Sequence, residues 1–394
     1  MTDSALLAVL LAAVAGLLAG RAWAAAERLE RRKHPDFRSA PHYTLGLHHL
    51  ASGQPELAIS ELGKVARDHP EALDVQQVLG SLFCEVGQVE RAIQIHQGLL
   101  ARSDLTRAER AQALASLGTD FRKAGFLDRA SETFTEVLAL DPGNIHALVG
   151  MQKLHEEQRQ WREAFGLQTR LSRLRKTDDS LVLGYLQAEL GQEAAASGRL
   201  EEAERAFRTA LSLDRRVFPA HLGLADLQLA QNPRLAAALL EEAIRVVPER
   251  AYLAFERLAR AYGGCGEPSR FATLCEGIVR QDPRDWRARV AMARQLRAEG
   301  RPEESYGLLL RALEANPQVL LVHLELGRTL SALGVRQEAF EGYLATTEES
   351  VFYRDPHICT ACRYRADSML WRCPHCHEWN TFVEERLALA AAAR

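Results

Sequence analysis

Cys359-Thr360-Ala361-Cys362 and Cys373-Pro374-His375-Cys376 set two C-x-x-C pairs, with ten residues between them, near the end of the chain. Thiolates are soft ligands, and two such knuckles facing each other across a short β-hairpin can hold four sulfurs tetrahedrally around one ion, Fe or Zn²⁺. Protein fills all four positions, so none is left for water or substrate, and the spacing predicts a structural site rather than a hydrolytic one. Four thiolates saturate such an ion, which makes His357, His375 and His377 surface residues in this reading. A rubredoxin-like or zinc-ribbon β module over residues 355–383 is too small to bury much apolar area without its metal. Tyr364, Trp371, Trp379 and Phe382 are the expected miniature core. Of the seven cysteines, Cys84, Cys265 and Cys275 stand apart at helical positions and read as buried small hydrophobes.

What precedes the module is periodic. Leu-Gly, a bulky residue three on, Ala twelve after the Gly, a second bulky residue and a terminal Pro recur about every 34 residues. Leu45-Gly46, Ala58, Leu62 and Pro70 make one copy; Leu79-Gly80, Phe83, Ala92 and His96 the next; Leu117-Gly118, Phe121, Ala130, Phe134 and Pro142 a third. A degenerate copy lies around Gly150 and Ala164, and looser ones continue to Leu326-Gly327, Ala339 and Tyr343. Gly and Ala recur where two helices cross too closely for larger side chains. The period therefore predicts about nine helical hairpins over residues 39–350, a tetratricopeptide-type superhelix with a concave groove suited to a peptide or protein element. GQVERA, GFLDRA, GRLEEA and GRPEES are the turns within hairpins. His96, in an apolar slot, reads as a hydrogen-bonded core histidine. Gly263-Gly264-Cys265-Gly266 follows no strand and precedes no Gly-Lys-Ser/Thr, so it reads as an inter-helix turn and not a phosphate loop.

Hydrophobic residues make up 47% of the chain and aromatics only 7%, which favours an all-α fold. A net charge of -3 with interspersed signs offers no cationic footprint for nucleic acid. No H-E-x-x-H, P-loop or G-x-S-x-G is present, and no catalytic residue is assigned; the chain does not read as an enzyme.

Residues 1–26 form the expected transmembrane anchor, with an uncharged run from Ser4 to Gly20 that Arg21 can extend by snorkelling. Ala22-Trp23-Ala24 has the form of a signal-peptidase site, but the leader MTDS holds Asp3 and no basic residue. Arg28, Arg31, Arg32 and Lys33 in the linker 27–38 place everything downstream in the cytoplasm. Ala8, Ala12, Gly16 and Gly20 share one helix face and would let another membrane helix approach. Residues 384–394 form a C-terminal tail.

The order of anchor, repeats and two knuckles resembles the lipopolysaccharide assembly protein B family, most tellingly at residues 87–100, 105–134 and 359–379. The resemblance implies a Gram-negative inner-membrane protein with a rubredoxin-type metal site on Cys359, Cys362, Cys373 and Cys376. It also implies an adaptor that regulates lipopolysaccharide synthesis. As partners it implies the membrane-bound ATP-dependent metalloprotease and the lipid A pathway deacetylase, which acts on UDP-3-O-acyl-N-acetylglucosamine and whose degradation the family promotes. A general scaffold for envelope enzymes and a rubredoxin-like electron carrier are the alternatives. Arg363 and His377 stand where rubredoxin knuckles usually have Gly, so metal identity and knuckle geometry are open at this point.

Overall fold

The computed structural model describes residues 37–317, 319–335, 341 and 357–384. The anchor 1–26, most of the linker, the repeat positions Ala339 and Tyr343, and the tail beyond Glu384 lie outside the described residues. Among the described residues no helix is long and apolar enough to cross a membrane.

The repeat is built on close approach. An added Cβ on Gly118 would stand 2.7 Å from the Phe134 ring, and one on Gly80 would stand 2.5 Å from His96. These pairs join the first and second helices of one hairpin, Arg107–Lys123 with Leu127–Leu140 and Leu73–Glu85 with Val89–Leu100. The repeat alanine of most second helices, such as Ala92 or Ala130, is fully buried, with Phe271 and Ser305 in its place in the last two described hairpins. We expect Gly118→Ala to cost about 1–3 kcal/mol by overpacking against Phe134. Urea unfolding would measure it, and a change below about 0.3 kcal/mol would mean that the crossing is not tight.

Hairpin turns take the left-handed conformation that the sequence assigned to glycine: Gly87 has φ +84° and Gly125 φ +81°, with open space around both. Thr106 and Glu109 form a reciprocal capping box at the start of Arg107–Lys123. Gly266, at φ +73°, closes the turn after Phe255–Gly264, as read. His96 is wholly buried with its Nδ1 2.5 Å from Asp120 Oδ2, so the hydrogen-bonded core reading holds. Cys84 and Cys275 are buried, whereas Cys265 is only half-buried because it follows the last helical residue.

The chain divides into two units, residues 1–154 and 155–394. The first holds three described hairpins, from Pro41–Ala51 to Leu127–Leu140, and most of the helix Ile145–Glu157. The second opens with the end of that helix and with Trp161–Arg175. Four hairpins follow, then the helix Leu320–Ala332 and a small sheet. Within the second unit, first helices of successive hairpins touch, as Ser180–Ala196 does Phe218–Gln228, and so line one face. The sheet has antiparallel strands β1 (His357–Cys359), β2 (Arg365–Ala366) and β3 (Phe382–Glu384) in the order β2-β1-β3.

Candidate metal centre

β1 delivers Cys359 into the first knuckle. There the Cys359 carbonyl accepts from the Arg363 amide at 2.9 Å, and the Cys359 amide donates to the Tyr364 carbonyl at 2.8 Å. The second knuckle repeats this: the Cys373 carbonyl accepts from His377 at 3.0 Å, and the Cys373 amide donates to Glu378 at 2.9 Å. Arg363 and His377 take left-handed φ values of 65° and 61°. The knuckle turn therefore forms without glycine. Since a non-glycine residue there costs about 1 kcal/mol, we expect Arg363→Gly, at an exposed position, to stabilise the module by about that amount. Thermal unfolding of the metal-loaded chain would read the gain; a loss would mean that Arg363 makes contacts worth more than its strain.

The four sulfurs lie within 4.8 Å of one another. Cys359 Sγ is 3.7 Å from Cys376 Sγ and Cys362 Sγ 3.5 Å from Cys373 Sγ, far longer than a disulfide. Sulfurs bound to a tetrahedral ion at ~2.3 Å stand ~3.8 Å apart, so the donor set fits Zn²⁺ or Fe. As thiols, Cys362 and Cys376 resist ionising, each held up first by burial. Burial opposes ionisation of Cys359, but Thr381 and the knuckle amides outweigh it and bring the thiol down to about 6. Cys376 is pushed up to about 12 by burial and by the neighbouring sulfurs. A cation at the centre of the four removes that conflict.

The aromatic residues divide differently from the sequence expectation. Phe382 is fully buried beside Cys359 and Cys373, but Tyr364 is 41% exposed and stacks on exposed His375. Trp371 and Trp379 turn away from the sulfurs and into the repeats. The Trp379 ring lies 5.6 Å from Tyr185 and 6.2 Å from Trp161, while Trp371 lies 6.1 Å from both Tyr185 and Phe218. An outward tryptophan pair is stable because the repeat face supplies the apolar partner that the module alone lacks.

Polar contacts fix the docking. Glu156, 2% exposed, accepts from Arg372 Nε at 2.9 Å and from Trp379 Nε1 at 3.1 Å. Arg250 donates to the Tyr185 hydroxyl at 3.2 Å, which donates to Asn380 at 2.8 Å. Burial raises the Tyr185 pKa, keeping it a donor. Arg287 pairs with the buried Glu384 and lies over the Tyr252 ring. Two of the three histidines are not surface residues: His357 is buried with its Nε2 3.0 Å from Tyr252, and His377 reaches Glu157 at 3.3 Å. None of the three joins the sulfur cluster. Sequence reasoning missed Glu156, Tyr185, Arg250, Tyr252 and Arg287. One signal was available, since Tyr185, Phe218, Tyr252 and Trp286 recur about one repeat apart, outside the repeat's own consensus.

These features define a tetratricopeptide-repeat protein carrying a four-cysteine module docked on its repeats. The Rubredoxin metal binding domain matches residues 357–384, and the Tetratricopeptide repeat matches residues 43–105 and 189–245. The chain is similar over 86% of its length to Lipopolysaccharide assembly protein B of Escherichia coli (strain K12), at 24% identity and over 88% of that protein. Lipopolysaccharide assembly protein B of Haemophilus influenzae is 22% identical over the same shares. The family resemblance seen in the motifs therefore extends along most of the chain. A crystal structure of MamA protein matches with a TM-score of 0.36 and 16% identity, over 44% of this chain and 91% of that one.

Proposed function

We propose that the chain is an inner-membrane adaptor that regulates lipopolysaccharide synthesis. In this reading it brings the lipid A pathway deacetylase to the membrane-bound ATP-dependent metalloprotease and so promotes the deacetylase's degradation. Residues 1–26 anchor it, and the repeats and metal module face the cytoplasm. The observation that carries the reading is the similarity to Lipopolysaccharide assembly protein B across 86% of the chain, beside the matches to the repeat and rubredoxin-type domains. Cys359, Cys362, Cys373 and Cys376 hold one Fe or Zn²⁺ ion, which supplies cross-linking and no catalysis. The chain's own residues do the rest: Glu156, Tyr185, Arg250 and Arg287 hold the module against the repeats. An anchored adaptor needs no chemistry of its own, because tethering raises the effective concentration of client near protease.

Deacetylase half-life in cells depleted of this protein tests the reading, with complementation by the full chain or by a form lacking residues 1–26. Prolonged half-life restored only by the anchored form is the expected result. An unchanged half-life would leave the general scaffold or the electron carrier, which the colour of the purified protein separates, iron–thiolate being red and zinc colourless.

A further inference from the structure

The module covers only part of the second unit's inner face. Beside it, past the shared residues Tyr252 and Arg287, an open cleft of about 640 Å³ runs between the first helices Phe255–Gly264 and Trp286–Ala298 toward Leu321. Its half-exposed floor is small and apolar: Ala259 and Ala291, flanked by Leu253 and Leu321. Alanines at such positions let another helix approach closely, as the glycines do inside each hairpin.

The rim carries a charge imbalance with a structural origin. Glu325 is wholly buried and takes three guanidiniums, Arg294 at 2.9 Å, Arg297 at 2.8 Å and Arg328 at 2.5 Å. One carboxylate shared by three arginines leaves two positive charges in excess beside the cleft, and Arg294, the one of the three that lines it, has a side chain 47% exposed. Arg260, 60% exposed, adds a further cation whose one partner, Glu256, is 3.9 Å away and itself in solvent. Glu299 also stands on the rim, but Arg301 lies 3.4 Å from it. Charges this exposed are weakly committed to their partners and free to meet an incoming anion.

We propose that this cleft binds an acidic amphipathic helix of a partner protein, its apolar stripe on Ala259 and Ala291 and its carboxylates against Arg260 and Arg294. The inference rests on the adaptor reading and names the kind of client segment it would capture. The full chain, in detergent, is titrated with fluorescein-labelled helical peptides of about four turns. Each carries leucines three and four apart, with glutamate on both flanks in one series and glutamine in the other. The glutamate series is expected to bind saturably and at least about tenfold more tightly than the glutamine series. Arg260→Glu, at an exposed site that cannot affect folding much, should erase that preference, and Ala291→Trp should block both series.

Equal binding of the two series, or none by the glutamate series, overturns the proposal. Binding that emerges only after proteolysis within residues 336–356 overturns it too, because the cleft would then belong to the chain itself. Deacetylase half-life, measured in parallel, separates the two readings. Peptide binding with unchanged turnover on depletion removes the adaptor and leaves the cleft. Adaptor-dependent turnover that survives Arg260→Glu and Ala291→Trp removes the cleft as the client site.

Discussion

Glu156→Ala is expected to release the module from the repeats while leaving its four-sulfur centre loaded. The substitution strands Arg372, whose side chain is only 16% exposed, and leaves the Trp379 indole N–H without its acceptor. Removing one partner of a buried, hydrogen-bonded charge pair typically costs about 3–5 kcal/mol. Docking is intramolecular, so that loss converts a closed equilibrium into a largely open one. Trp371 and Trp379 would pass from aromatic surroundings into water, shifting tryptophan emission to the red, and the undocked module would become more sensitive to protease. Metal content per chain should stay constant. Unchanged emission and cleavage would show that the aromatic contacts hold the module without Glu156, and Glu156→Gln would then be predicted silent as well.

Chelation or Cys373→Ser is expected to unfold the module outright. Structural Zn²⁺ sites supply about 10–16 kcal/mol of apparent binding free energy in small domains, and here Phe382 and the cysteines themselves are nearly all the interior there is. Most helical circular dichroism should survive, since the fully buried residues of the cores that run between neighbouring hairpins all come from the repeats. The second unit should nevertheless melt earlier than in the loaded chain, because the faces of Tyr185, Phe218 and Trp161 lose their cover. An apo chain whose module resisted protease as well as the loaded one would sink the structural role of the metal. On the proposed adaptor function, the same variant should lengthen deacetylase half-life in cells.

The repeat was legible because its signal is steric and recurs: Gly118 against Phe134 and Gly80 against His96 repeat one geometric demand at a fixed period. The sulfur site was legible because four thiolates at that spacing have few other uses. The docking was not. Whether a tryptophan in a small module points inward or outward depends on a surface elsewhere in the chain, and nothing local to Trp371 or Trp379 distinguishes the two. Glu156 in sequence is one more charge on a helix, and only its 2% exposure separates it from a solvated neighbour. Arg363 and His377 show the opposite error, where the missing glycines cast doubt on a turn that the backbone makes anyway.

A stack of hairpins in which each touches only its neighbours behaves like a spring, each joint giving a little under load. The module interrupts that series. It grips Glu156, Trp161, Tyr185, Phe218, Tyr252 and Arg287, which belong to successive repeats far apart in sequence, and so acts as a strut across several joints at once. Bending the second unit must shear the indole stack or part the ion pair at Glu384. Pulling force applied to its ends is therefore expected to meet a stiff body that yields in one step, at a load set by the indole stack and the ion pairs that dock the module.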